Sequence, residues 1–141
     1  MKDNERVFVH FSNMLKVALG AKLEKDAQNF LDMVTDDIVM EFPYAPDEAV
    51  KCVKGRDKLA AYLTKIGELI QIDVISEPTV HHTLNENIII LEFSCEGKGV
   101  NTHKPYNQQY ISVITLHQGK IQRYQDYWNP LIAISTLGNF S

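Results

Sequence analysis

The sequence predicts an α+β domain: a cone-shaped, curved antiparallel or mixed sheet wrapped around three N-terminal helices, with a short C-terminal helix. Three observations carry this expectation. Apolar residues recur every three to four positions through most of the segment before residue 71. The period then falls to two, with Val, Ile and Thr enriched, between residues 72 and 128. No repeat, low-complexity run or Pro/Gly/Ser linker divides the chain, so residues 1–141 read as one domain. Helices segregated from a following run of strands are the signature of α+β rather than α/β.

The elements follow in order. Val7, Phe8, Phe11, Met14, Leu15, Ala18 and Leu19 predict a first helix, with Asp3 or Asn4 as its cap and Gly20 as its stop. Leu23, Ala27, Phe30, Leu31 and Val34 repeat that spacing and predict a second, shorter helix. The period changes at Asp36, and on a strand over 38–44 Met40, Phe42 and Tyr44 share one face. Pro43 and Pro46 open a loop that ends at Gly55. A third helix over 56–70 stripes Leu59, Leu63, Ile66 and Ile70 along one side. Strand-like stretches follow over 72–83, where Pro78 demands an edge or a bulge, over 88–96 and over 108–117. Gln118-Gly119 makes a tight turn into a last strand over 121–128. Pro130 permits a closing helix over 131–137 that Gly138 stops. A sheet curved around three helices leaves a conical cavity, open at one end, where function would sit.

Composition narrows the function. The chain carries 14 Lys and Arg against 18 Asp and Glu, a formal net charge of −4. That balance argues against a nucleic-acid partner and against an anionic membrane surface. No apolar run approaches the ~18 residues that a membrane span needs, and the polar start Met1-Lys2-Asp3-Asn4-Glu5-Arg6 lacks a signal-peptide core. The two cysteines, Cys52 and Cys95, have neither disulfide-framework nor metal-ligand spacing, and both read as reduced residues of a cytoplasmic protein. Phosphate-binding glycine loops, zinc pairings and nucleophile elbows are absent, so neither a metal nor a cofactor is expected. His81-His82 are strand neighbours that point to opposite faces, and they read as solvated edge residues.

One carboxylate stands out. On the last strand Tyr124, Asp126 and Trp128 share a face, with Ile121, Arg123, Gln125 and Tyr127 on the other. A carboxylate flanked by aromatic rings loses hydration, which raises its pKa and suits it to general acid or base work near neutrality. The same spacing also fits a surface acid beside aromatics that cover a dimer seam. Along the strand over 88–96, Ile89, Leu91, Phe93 and Cys95 form the apolar face and Glu92, Ser94 and Glu96 the polar one. The strand over 108–117 holds no carboxylate.

Read together, these features resemble the SnoaL-like branch of the nuclear transport factor 2-like superfamily, which also contains ketosteroid isomerase. The likeness lies in Glu41-Phe42-Pro43-Tyr44-Ala45-Pro46, in Gly55-Arg56-Asp57 opening a helix, in Gly119-Lys120-Ile121, and in Tyr127-Trp128-Asn129-Pro130-Leu131 followed by Leu137-Gly138. The resemblance implies a cystatin-like α+β cone, a homodimer, and an apolar pocket for a hydrophobic or aromatic small molecule. It implies that Met40, Phe42, Tyr44, Leu91, Phe93, Tyr124, Asp126 and Trp128 face inward, with Tyr62 joining them from the third helix. Its members include isomerases, polyketide cyclases, epoxide hydrolases, dehydratases and phenazine-pathway proteins, and also non-enzymatic binders.

The departures are specific. The position matching the ketosteroid isomerase base is Phe42, and no acid matches its oxyanion donor, which argues against steroid isomerisation. Tyr124 and Asp126 match the aromatic residue and water-activating acid of limonene epoxide hydrolase, but its Arg and second Asp have no match near Leu91 to Cys95. Phenazine-pathway members carry a substrate-protonating acid near the Asp126 position. Two classes of function therefore stand: a cofactor-free isomerase, cyclase or condensation-type enzyme with Asp126 as acid/base and Tyr44 and Tyr124 as its partners, or a non-catalytic ligand-binding or dimerisation module. For assembly, Tyr110, Ser112, Ile114 and Leu116 with Arg123 and Tyr127 are expected to face outward and to join two subunits sheet to sheet.

Overall fold

Hairpin geometry decides which residues of this chain look inward. In the computed structural model, which describes residues 8–138, the elements are α1 (Val9–Leu19), a single 3-10 turn (Gly20–Lys22), α2 (Phe30–Met33), β1 (Val34–Glu41), β2 (Cys52–Lys54) and α3 (Arg56–Leu69). After them come β3 (Ile70–Ile75), β4 (Thr79–His82), β5 (Ile88–Gly99), β6 (Gln108–His117), β7 (Lys120–Trp128) and α4 (Pro130–Leu137). The strands form one curved, unclosed mixed sheet in the order β2-β1-β7-β6-β5-β3, with β4 also on β5. All neighbours run antiparallel except β1 and β7, which are parallel. This is the α+β cone that the sequence predicts.

Local chemistry explains the element ends. Gly20, at φ 47°, stops α1 and returns its N–H to the Lys16 carbonyl. The expected caps Asp3 and Asn4, and Val7, lie outside the described residues. The second helix is far shorter than its periodicity suggests. Asn29 caps it in a reciprocal box with Asp32, and the β-branched pair Val34-Thr35 then takes the chain into the sheet, two residues before Asp36. Pro78 breaks the fifth stretch into β3 and β4, which share one edge of β5, and Ser76 stitches the gap by bonding Ser94 through N–H (2.8 Å) and Oγ (2.9 Å). The Pro43 loop holds one strand the sequence did not announce, β2, paired to the end of β1.

The β6–β7 hairpin corrects the sequence reading. Its two-residue turn has both residues at positive φ, Gln118 at 50° and Gly119 at 82°, as a right-twisted hairpin requires. Pairing begins as His117↔Lys120 and Leu116↔Ile121, then jumps to Thr115↔Arg123 and continues to Tyr110↔Trp128. Gln122 is thus an extra residue, a β-bulge. It turns Ile121 inward (0% exposed) together with Tyr124, although an unbroken alternation puts them on opposite faces. It also sets Asp126 opposite Ser112 rather than Ile111. A one-residue slip reverses a whole face. Ser112, Ile114 and Leu116 are consequently buried and Tyr110 faces the cavity, while Ile111, at 46% exposure, faces out. The expected outward set on this strand is overturned.

The concave side is filled by α1, α2 and α3. Phe11, Phe30 and Tyr124 form an aromatic knot, with centroids 4.9 Å (Phe11–Phe30) and 5.9 Å (Phe30–Tyr124) apart. Among the described residues no helix is long and apolar enough to cross a membrane.

Candidate functional site

The three helices do not fill the cone to its end. Between α3, α4 and the concave sheet remains a cavity of about 250 Å³, smaller than the ~300–1,000 Å³ of drug-sized pockets. Its wall is apolar and aromatic. Phe42 packs against Tyr62 of α3 at 5.1 Å and against Trp128 of β7 at 6.4 Å, and Phe93 stacks on Tyr110 at 5.0 Å.

Six of the nine expected site residues line this space: Met40, Phe42, Tyr62, Phe93, Asp126 and Trp128. The other three do not. Leu91, fully buried, belongs to the core beneath the wall. Tyr124, also fully buried, spends its hydroxyl on Ser112 Oγ at 2.7 Å. Tyr44 is 58% exposed, because β1 ends at Glu41 and the Phe42-Pro43 turn carries it to the outer surface, edge-on to Tyr127 at 5.2 Å. Alternation from Met40 held for Phe42 and failed one residue pair later.

Asp126 is the only carboxylate among the described residues that line the cavity. It keeps some accessible surface there, yet protein encloses it deeply enough for desolvation to dominate. Burial pushes its pKa from the ordinary 3.8 to about 7, and the hydrogen bond from Ser112 pulls it partway back.

Three further groups of this wall, and Gln108 behind them, escaped the sequence reading or were misplaced by it. Tyr110 was assigned outward, Cys95 was read as a small apolar residue, and Tyr106 and Gln108 drew no attention. Tyr106 and Tyr110 bring their hydroxyls within 3.3 Å, and the Cys95 thiol lies 3.9 Å from the Tyr110 oxygen. Gln108, 1% exposed, locks the β6 start to the β7–α4 junction by donating to the Asn129 carbonyl (2.9 Å) and accepting its N–H (2.8 Å). Burial raises the phenols, Tyr106 to about 12 and both Tyr62 and Tyr110 well above the ordinary 10, with the Asp126 charge adding to each. All three are neutral hydrogen-bond donors at physiological pH. Only the alternation of β6, read with the bulge in place, signals Tyr110.

No group of three His, Cys, Asp or Glu side chains among the described residues could hold a metal ion. His81 instead pairs with exposed Glu92 at 2.7 Å on the sheet edge.

The SnoaL-like domain model matches residues 18–124. The chain belongs to the SnoaL-like family. It is 36% identical over 124 residues to the uncharacterised protein YesE of Bacillus subtilis, covering 88% of this chain and 84% of that one. To an uncharacterised PhzA/B-like protein of Pseudomonas aeruginosa it is 30% identical over 113 residues, covering 80% and 79%. A crystal structure of a candidate isomerase from Bacillus subtilis superposes with a TM-score of 0.77 at 34% identity, covering 98% of this chain and 96% of that one.

Proposed function

We propose that this SnoaL-like protein binds a small, largely apolar metabolite bearing a carbonyl oxygen, and catalyses a cofactor-free isomerisation or cyclisation by proton transfer through Asp126. One observation carries the reading: a single carboxylate with its pKa near neutrality, set in an apolar, aromatic cavity ringed by neutral phenols. Close to pH 7 such a group is about half ionised, so it can both take and return a proton. The carboxylate removes a proton from the carbon beside the carbonyl. The electron pair moves onto the carbonyl oxygen, where a phenol such as Tyr62 donates a hydrogen bond as charge develops. The protonated Asp126 then delivers its proton to a second carbon. Phe42 and Trp128 hold the planar body of the ligand by stacking. The isomerase name of the Bacillus subtilis structure and the PhzA/B-like name of the Pseudomonas relative support small-molecule chemistry of this kind.

A second reading, a binding module, draws on the same cavity, since no second carboxylate lines it among the described residues. The two separate cleanly. Small cyclic ketones in deuterated water should lose their α-proton signals when the wild-type protein is added, and Asp126→Asn should slow this at least tenfold. Equal rates for the two proteins remove the catalytic role. Native mass spectrometry that finds a co-purified metabolite, with no exchange, favours the module.

We also propose a homodimer that joins the outer sheet faces through Ile111 and its neighbours on β5 and β7. Ile111 is a large apolar side chain left in water on the convex face.

A further inference from the structure

We propose that Ser112, held by Tyr124, is the positioning residue that sets the ionisation and orientation of Asp126. The proposal rests on the acid/base reading of Asp126. It also stands on geometry of its own. Tyr124 and Ser112 are both 0% exposed, and the Tyr124 hydroxyl donates to Ser112 Oγ at 2.7 Å. Ser112 lies directly across the strand pair from Asp126, where opposed side chains are about 4.5–5.5 Å apart at Cβ. With the Tyr124 hydroxyl donating to it, Ser112 has its own proton left to offer, and the carboxylate directly opposite on β7 is Asp126.

Two hydroxyls at the bottom of an apolar core are costly unless both are satisfied. An alanine and a phenylalanine at these positions would fill nearly the same space without polar atoms. A chain that runs from Tyr124 through Ser112 to the carboxylate satisfies both. Phe11 and Phe30 close the other end against Tyr124, with centroids at 6.1 and 5.9 Å, so the chain leads to no water. It cannot conduct protons to solvent. What it can do is donate to the ionised carboxylate, fix its rotamer, and hold back the rise that burial imposes.

The other groups around Asp126 do not compete for that role. Tyr62 on α3, Tyr106 in the segment before β6, Tyr110 on β6 and Cys95 on β5 are all neutral acids that burial shifts upward. Lys65 is the only cation among the described residues of the cavity lining, on exposed α3 surface. Among the described residues no histidine lines the cavity, and Asp126 is the one there whose charge changes near neutrality.

The test uses the chain's single tryptophan, Trp128, two residues along the same strand face and part of the same wall. Its fluorescence is followed against pH in the free protein, with Asp126→Asn as the baseline that lacks the step. Ser112→Ala should move the midpoint upward by about one pH unit, roughly a tenfold loss of ionised Asp126 at a given pH below it. Ser112→Thr, which keeps the hydroxyl, should stay within a few tenths of wild type. Tyr124→Phe should move it upward by less, since it weakens the donor without removing it. Should Ser112→Ala fail to fold, Tyr124→Phe alone decides, because it deletes one oxygen and no volume. An unmoved midpoint in the folded variants overturns the proposal, as does a shift in Ser112→Thr equal to that in Ser112→Ala. A wild-type protein with no step near neutrality refutes the acid/base reading of Asp126 instead, so the two failures are distinct.

Discussion

Replacing Asp126 by Asn should make the protein more stable, and by an amount that depends on pH. The carboxyl titrates near 3.8 when unfolded and about 7 in the folded chain, because burial disfavours its charge. Below pH 4 both states bind the proton and the group contributes no penalty. Between those two values the folded state holds a proton that the unfolded state has released, so wild-type stability falls as pH rises, and above pH 7 the full cost of a buried carboxylate is present. At about 1.4 kcal/mol per pH unit the rise corresponds to roughly 4 kcal/mol. Part of that is recovered by cavity water and side-chain relaxation, so an observed gain of about 2–3 kcal/mol for Asp126→Asn in mildly alkaline buffer is expected. The Asn carbonyl still accepts from Ser112, so that hydrogen bond survives the change. Urea unfolding of both proteins near pH 5 and near pH 8 measures this, with equal m-values required for the comparison. The difference between the two proteins cancels every other titrating group. A difference that is the same at both pH values, or a loss of stability in Asp126→Asn at pH 8, would refute the argument and mark Asp126 as one half of a structural ion pair.

Four further outcomes test the architecture. Ile111→Glu on the convex face should convert a dimer into a monomer near 16.1 kDa in sedimentation equilibrium at micromolar concentration, whereas Ile114→Glu, at a 0% exposed position, should prevent folding; a wild-type monomer defeats the first expectation, a well-folded Ile114→Glu the second. Deleting Gln122 removes the bulge yet keeps Asp126 opposite Ser112, so a cooperative unfolding transition should be retained, whereas deleting Gln122 and Arg123 together carries Asp126 to Val113 and should abolish it; equal denaturation midpoints for the two variants contradict the register described for β6 and β7. Gly97→Ala sets a Cβ 2.1 Å from the Gln71 carbonyl oxygen, so β3 must separate from β5 at a cost of about 1–3 kcal/mol or more, read by thermal unfolding.

How legible the molecule was depended on whether a local signal or a register decided the feature. Gly20, Pro78, the Gln118-Gly119 turn and Pro130 act through their own backbone preferences, and each ended, broke or began an element where expected. Alternation also sorted β5 correctly, because that strand is regular and its inward residues Ile89, Leu91, Phe93 and Cys95 are all apolar. The second helix was misread because Leu23 and Ala27 lie at helical spacing by coincidence, and nothing local states that Val34 pairs with Ile121. The face of β6 was lost for a sharper reason. Each of its residues is compatible with either side, and the residue that decides is Gln122 on another strand.

The site followed the same division. Asp126, Phe42 and Trp128 were readable because an acid among aromatics at alternating positions is a local pattern. Tyr106 and Tyr110 were not, since their place depends on the loop after β5 and on the bulge. Tyr44 was lost to Phe42-Pro43, where the strand ends and alternation stops carrying information. Ser112 is a serine of no distinction until its partner across the sheet is known.

The ionisation of Asp126 tests the account most directly. In protein labelled with carbon-13 at the aspartate carboxyl, with Asp126→Asn supplying the assignment, the Asp126 resonance should titrate with a midpoint close to pH 7. A midpoint near the ordinary value of 3.8 would contradict the proposal that this cavity moves protons.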